Sequence, residues 1–365
     1  MITNQTPSKV RRMLTPELSI LYRPNDLQWS YSHHAAICKY KNSFYAIWSN
    51  GRKDEDDLGQ RVLYAASKDG INWSKHHVLF DSDPVKVITA GGLYDNGEAL
   101  VAYAGSYGYD PENVLNGKYI TINDLHRDTT TLAKTSVDGL NWSDAIDLKI
   151  PVTPNHGPKK SSSGRLIIAG GVTFPYSDDP QGISGWTVSG LPPCPWEDMV
   201  DDSQGIMRHI ALRNDGVFLC EGSFFQTDDG ILHMLLRSDQ RKLYETISKD
   251  DGKNWLPPTS TSFVSSGSKF HCGRLPDGRF YIVGNPDPTG ARCPLVISLS
   301  EDGQVFDQEF IIDETFRSMR KAGNHKGGIY GYPHSIISDG KLLVICSINK
   351  EDIHVYSVGL DQFIR

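Results

Sequence analysis

The feature that most constrains this chain is a short phrase that returns four times. It reads Ser67-Lys-Asp69-Gly70-Ile-Asn-Trp73, then Ser136-Val-Asp138-Gly139-Leu-Asn-Trp142, then Ser248-Lys-Asp250-Asp251-Gly252-Lys-Asn-Trp255, and more weakly Ser300-Glu-Asp302-Gly303-Gln-Val-Phe306. Each copy follows a short β-rich run: Val62–Ala66, Thr131–Thr135, Leu243–Ile247 and Leu295–Leu299. Asp-Gly after such a run is a hairpin signal. The Ser and Asp side chains can bond nearby backbone amides, and Gly supplies a positive φ. The aromatic is then free to pack between neighbouring units. A phrase recurring at this spacing means an array of similar units, and the fold has to be read through it.

The box serines are separated by 69, 112 and 52 residues. The long interval calls for a degenerate copy inside it, and Gly185 to Trp196 fits as a strand, a turn and a tryptophan. Each unit has one grammar: an inner strand, a hairpin, a second strand, a third that ends in the box, and a fourth. Hairpins of this kind are Lys41-Asn42, Asp228-Asp229-Gly230, Pro276-Asp277-Gly278 and Ser338-Asp339-Gly340. Four-stranded units around an axis make an all-β, six-bladed β-propeller. A seventh blade is open if residues 1–30 and the long loops hide one. A last unit without a box runs from Gly327, with strands Tyr332–Ile337, Lys341–Ser347 and Ile353–Leu360. The segment Glu17–Arg23 is strand-like and is expected to complete that blade, closing the ring and removing two open edges. No linker divides the chain, so residues 1–365 read as a single propeller domain. Tyr107–Asn123 and Tyr176–Gly182 read as surface loops near the pocket or rim.

A formal charge of −7 and the lack of any basic run argue against a nucleic-acid partner. No apolar stretch approaches the roughly 20 residues of a membrane span. The N-terminus lacks the apolar core of a secretory signal, so the expectation is a cytoplasmic protein, or an exported one whose signal has been removed. None of the six cysteines forms a CxxC pair, and buried free thiols are expected. No zinc-ligand spacing and no phosphate loop is visible, so no cofactor and no metal are expected.

One face of a propeller gathers loops from every blade, so charged residues distant in sequence can meet there. Glu221 opens one apolar strand and Arg237 ends the next, across a hairpin. Charges in such positions are either paired or functional. Arg292 leads into the strand before the fourth box. Lys326-Gly-Gly-Ile-Tyr330-Gly-Tyr332-Pro-His334 brings glycines, then Tyr332 and His334, to the mouth of a strand. His33 and His34 precede the first inner strand, and Asn155 and His156 precede another. An acidic run, Asp54-Glu55-Asp56-Asp57, lies between the second and third strands of the first unit. Each of these also has a plain reading, as an ion pair, as aromatic packing, as a residue opening a strand or as a solvated loop.

With these residues in view, the chain resembles the sialidase-like superfamily of β-propellers, whose blades carry Asp-boxes. In that resemblance Glu221 and Arg237 match a Glu at the head of a strand and an Arg ending the next. Arg292 matches an Arg after an Asn-Pro-like turn, and Tyr332 matches a Tyr opening the last blade. The implied roles are a Tyr332 nucleophile made competent by Glu221, with Arg237 and Arg292 clamping a substrate carboxylate. A carboxylate can take a phenol's proton, and Arg gives bidentate carboxylate contacts. The implied acid/base Asp lies after the first hairpin, where Asp57 or Asp56 stands. The chain departs from the pattern where sialidases begin the first blade with an Arg-Ile-Pro-like phrase. That place reads His33-His34-Ala, so the third clamping arginine is missing. The implied activity is therefore a sialidase-like exo-glycosidase of altered specificity, removing a terminal sugar from an acidic glycan. The chain also looks like propeller enzymes acting on rhamnose-capped glucuronate, some of them lyases. β-Elimination needs a cation on the uronate carboxylate, a base and an acid: Arg237 or Arg292, His34 or His156, and Tyr332 would serve. A third reading is a non-catalytic glycan-binding propeller, which has no need of a Tyr–Glu pair. All three expect a glycan or oligosaccharide partner, and none fixes an oligomeric state.

Overall fold

The computed structural model describes residues 1–365 apart from 7–8, 26, 109–113, 116–117, 120–126, 193–195, 199–210, 214–216, 324 and 365. Its strands group into six antiparallel blades. The first is Tyr31–Tyr40, Ser43–Gly51, Arg61–Ser67 and His77–Phe80. The second is Lys86–Asp95, Leu100–Gly108, Arg127–Ser136 and Ile146–Asp147. The third is built of two-residue strands, Lys159–Lys160, Leu166–Ile167, Tyr176–Ser177 and Trp186–Thr187. The fourth is Phe218–Gln226, Leu232–Ser238, Lys242–Ser248 and Thr259–Val264, with the short strands Trp196–Asp198 and Ala211–Arg213 added beside its first strand. The fifth is His271–Arg274, Phe280–Gly284, Leu295–Ser300 and Gln308–Asp313, with Val10–Met13 lying parallel outside it.

The sixth blade, Tyr330–Ser338, Lys341–Ile348 and Asp352–Gly359, takes its outer strand from the other end of the chain. Glu17–Tyr22 pairs antiparallel with Asp352–Gly359, Glu17 opposite Ser357. The ring is closed as the strand-like Glu17–Arg23 segment led one to expect. No helix among the described residues is long and apolar enough to cross a membrane.

Each of the four boxes is a side-chain cap. Ser67 Oγ accepts from Gly70 N–H at 2.9 Å and donates to Asp69, whose carboxylate accepts from the amides of Ile71 and Asn72 at 2.9 and 2.7 Å. The same bonds recur around Ser136–Asp138 and Ser300–Asp302. The turn exists to bring its glycine against the preceding blade. A Cβ on Gly70 would meet Leu343, one on Gly139 would meet Tyr45, one on Gly252 would meet Ile167 and one on Gly303 would meet Phe225. The box aromatics pack at the same seams: Trp142 lies 5.7 Å from Tyr64 and Trp255 lies 5.1 Å from Phe174, ring to ring.

This contact identifies the degenerate box, which is not where the spacing placed it. Gly182, φ 74°, faces Tyr103 of the second blade as the other box glycines face their neighbours. Ser177 and Asp179 make the cap: Asp179 N–H donates to Ser177 Oγ at 3.0 Å and Gln181 N–H to Asp179 at 3.0 Å. The box is therefore Ser177 to Trp186, stretched by a Pro-Gln insertion, and Tyr176–Gly182 is a strand end and box rather than a rim loop. Trp196, the proposed end of the copy, lies in the sheet of the fourth blade. Of the other expected loop, Tyr107 and Gly108 end a strand and Val114–Leu115 pairs with Lys118–Tyr119; the rest lies outside the described residues.

The core is divided among six seams, one between each pair of consecutive blades. Tyr45, Ile47 and Leu93 meet between the first and second blades, and Leu343, Ile345 and Trp48 close the seam between the sixth and first. Burying each such aliphatic or aromatic side chain contributes ~1.5–3 kcal/mol. Cys38, Cys220, Cys272, Cys293 and Cys346 are free thiols; Cys194 lies outside the described residues.

Candidate functional site

Three inner strands slip register in their first halves: between His33 and Ala36, between Cys220 and Gly222, and between Gly331 and His334. At each slip one residue takes left-handed backbone, His34 at φ 51°, Glu221 at 48° and Tyr332 at 52°. Such a conformation costs a non-glycine residue ~1–3 kcal/mol. A bulge re-aims one side chain out of the strand's alternation. Here it turns His34, Glu221 and Tyr332 toward one place.

Glu221 and Tyr332 are buried. Arg237, opposite Cys220 on the next strand, donates from Nη1 both to the Glu221 carboxylate and to the Tyr332 hydroxyl, the latter at 2.9 Å. Burial pushes the Glu221 carboxyl up, but Arg237, Lys269 and a hydrogen bond from Tyr332 outweigh it and hold it at about 2. Burial, then the Glu221 charge, pushes the Tyr332 phenol well above its ordinary range, with Arg237 opposing. The resting pair is thus a carboxylate and a phenol.

Two more cations flank the Tyr332 ring. Lys269 Nζ stands 4.7 Å from the ring centroid and Arg292 Cζ 5.4 Å. Lys269 is 3% exposed and donates to Asn155 O at 2.8 Å. Burial lowers its ammonium to about 8. Arg292 Nη1 is buried with no hydrogen-bond partner. Arg237 is neutralised by Glu221, whereas neither Lys269 nor Arg292 has a carboxylate in salt-bridge contact among the described residues. Two cations thus stand beside Tyr332, Lys269 buried and Arg292 half-buried, with no carboxylate in salt-bridge contact among the described residues, an arrangement that favours an anionic partner.

The other wall comes from the first blade. His34 Nε2 lies 3.2 Å and His33 Nε2 3.8 Å from Glu55 Oε1, and Lys350 holds the second carboxylate oxygen. The His33 and Tyr332 rings are 4.1 Å apart. Tyr107 donates to half-buried Asp56. Burial and the Glu55 charge push the Asp56 carboxyl up to about 7, the Tyr107 hydrogen bond and Lys350 working against them. Burial, then the Glu55 and Asp56 charges, pushes the neighbouring Tyr31 phenol well above its ordinary range. Asp57 instead turns back on its loop and accepts the Asp54 amide at 3.0 Å. Of the two aspartates expected here, Asp56 is bonded by Tyr107 and Asp57 by its own loop.

His156 and His334 belong to a separate layer. With His271 they form a buried group whose ring centroids are 4.3–5.3 Å apart. His156 Nε2 is bonded to Phe270 O at 3.0 Å, and His334 Nδ1 accepts the Ile37 amide at 3.3 Å. Burial, followed by Lys159 and Lys269, holds His334 at about 3. Asn155 joins the two layers through Lys269. Sequence reasoning thus brought together Tyr332, Glu221, Arg237, Arg292, His33 and His34. It passed over Lys269, Lys350 and Glu55. A lysine in Ser268-Lys-Phe-His271, directly before an inner strand, was the signal for the first.

A family model described as a BNR repeat-like domain matches residues 42–345. The chain belongs to that family. Among curated proteins no sequence matches this BNR repeat-like chain. Its fold is similar to a protein of unknown function from Dyadobacter fermentans, 15% identical with a TM-score of 0.66, the match covering 94% of this chain and 98% of that one. It is similar to a solved sialidase at 19% identity and a TM-score of 0.66, spanning 99% of this chain but 34% of that one. The Trypanosoma rangeli sialidase matches at 12% identity and a TM-score of 0.62, over 90% of this chain and 55% of that one. A sialidase-like BNR propeller is the architecture that carries the site.

Proposed function

We propose that this BNR repeat-like protein is a glycoside hydrolase that removes a terminal sugar from an acidic glycan, with Tyr332 as nucleophile. The observation that carries the reading is the shared nitrogen of Arg237, which donates to the Tyr332 hydroxyl and pairs with Glu221. A binding module has no use for a buried phenol held against a buried carboxylate.

In this reading the Tyr332 oxygen bonds to the anomeric carbon as the glycosidic bond breaks, and the phenol proton passes to Glu221. Glu221 is a weak acceptor at rest, so the transfer occurs only as bond formation draws electrons from the phenol oxygen. Asp56 gives its proton to the departing oxygen. Water then attacks the same carbon and gives a proton to Asp56. The Tyr332–sugar bond breaks and Glu221 returns the phenol proton, so one water is consumed. Lys269 and Arg292 hold the substrate's carboxylate, the place of the missing third arginine being taken by His34. Elimination draws less support: His34 Nδ1 lies 3.2 Å from Ser49 Oγ while Nε2 faces Glu55, so neither nitrogen is left for a substrate proton.

The test is trapping. A fluorinated analogue of the substrate's terminal sugar that accumulates the covalent intermediate should add its glycosyl mass to one peptide containing Tyr332. Labelling of another residue, or none while the substrate is turned over, would contradict the assignment.

A further inference from the structure

We propose that His33, His34 and Glu55 form a binding site for a divalent first-row transition metal, with zinc the ion their donor set fits first. Consecutive residues on a regular strand point to opposite faces. The bulge at His34 removes that alternation and brings both imidazoles to Glu55. One ligand atom from each of the three lies within 4.8 Å of the others, and among the described residues this is the one His/Cys/Asp/Glu group so gathered. The sequence shows no ligand spacing because the backbone slip creates the site.

Ser347 Oγ lies 2.6 Å from His33 Nδ1. The other ring nitrogen, Nε2, has no hydrogen-bond partner, and the residue is 0% exposed. It faces Glu55 Oε1 at 3.8 Å. A buried ring nitrogen left without a partner is costly, and in the tautomer that carries the proton on Nδ1 it offers a lone pair that a metal ion would satisfy.

The surroundings are those of a ligand set. Lys350 occupies Glu55 Oε2, while Oε1 faces the two imidazoles and accepts from the Tyr31 hydroxyl at 3.5 Å. Ser347, 2.6 Å from Nδ1, holds the ring orientation of His33, the kind of outer support that metal-bound histidines need. Two imidazoles and one carboxylate with an open fourth position suit zinc and its neighbours. A tetrahedral ion with bonds of ~2.0–2.1 Å spaces its ligand atoms by roughly 3.4 Å. His34 Nε2 and Glu55 Oε1 already stand near that spacing, at 3.2 Å, and His33 Nε2 stands 3.8 Å from the same oxygen.

The experiment is equilibrium dialysis of chelator-treated protein against zinc chloride, with metal and protein counted by elemental analysis. One zinc per chain is expected for the native protein and for Glu245→Gln, which alters a His–Glu pair elsewhere. A loss of at least tenfold in affinity is expected for Glu55→Gln and His34→Gln, with folding checked by circular dichroism. If those two variants fail to fold, cobalt(II) added to the native protein decides: an intense visible band of four-coordinate cobalt supports the site, and its absence overturns it. Far less than one zinc per native chain at saturation, or equal binding by folded Glu55→Gln and His34→Gln, would also overturn it.

Discussion

Arg237 donates to the Tyr332 hydroxyl oxygen at 2.9 Å through the same nitrogen that pairs with Glu221. One guanidinium therefore positions the two groups between which a proton has to move. The two bulged residues arrive from blades that are far apart in sequence, and Arg237 locks them into one geometry. That makes Arg237 a positioning group, and leaves Lys269 and Arg292 as the cations open to substrate.

Tyr332→Phe should reduce turnover of an acidic glycan to background while changing the melting temperature little, because the phenyl ring keeps its packing against His33. The check is initial rates beside a thermal melt. Full activity in the folded variant would remove Tyr332 from the chemistry.

Glu221→Gln should cost both activity and stability. It leaves the half-buried Arg237 charge without its carboxylate, and breaking a buried pair costs up to ~3–5 kcal/mol. Because Glu221 is held down at about 2 in the folded protein, its contribution is complete above the ordinary carboxylate range. It is lost as pH falls from that range toward 2. Urea melts across this window should show a steeper acid loss in the native protein than in the variant.

Lys269→Met should weaken substrate binding and change the alkaline behaviour. The folded ammonium titrates at about 8, against ~10.4 for an unperturbed lysine. KM for an anionic substrate should therefore rise above pH 8 in the native protein and lose that rise in the variant. Between these two values the unfolded chain binds more protons, so this group makes stability increase with pH there. The variant should lack that increase.

Gly139→Ala tests the seam between the first and second blades. Gly139 has φ 73°, and a Cβ would lie 2.1 Å from Tyr45 Oη of the preceding blade. Backbone strain and overpacking each cost ~1–3 kcal/mol. A melt lowered by several degrees is expected, and an unchanged one would show that the seam yields.

The blades were legible because the box needs particular residues: Ser and Asp to cap, Gly to approach the next blade, an aromatic to fill the seam. The third blade hid its copy because Pro180 and Gln181 stretch the turn, and only Gly182 against Tyr103 reveals it. Glu221, Arg237, Arg292 and Tyr332 stood out as charges or a phenol in apolar strands. Glu55 was submerged in an acidic run whose neighbours serve the loop, and Lys350 sat in a hairpin where a lysine draws no notice. Register slips at His34, Glu221 and Tyr332 carry no sequence signature, since none of these residues is glycine. They are held by the surrounding sheet.

The most direct test of the hydrolytic reading is the mass of the products formed from a mixed panel of sialylated glycans and rhamnose-capped glucuronides. Hydrolysis through Tyr332 predicts a product pair that together exceeds the substrate by one water. A pair summing to the substrate mass, with an unsaturated uronate in one product, would mean elimination and would contradict it.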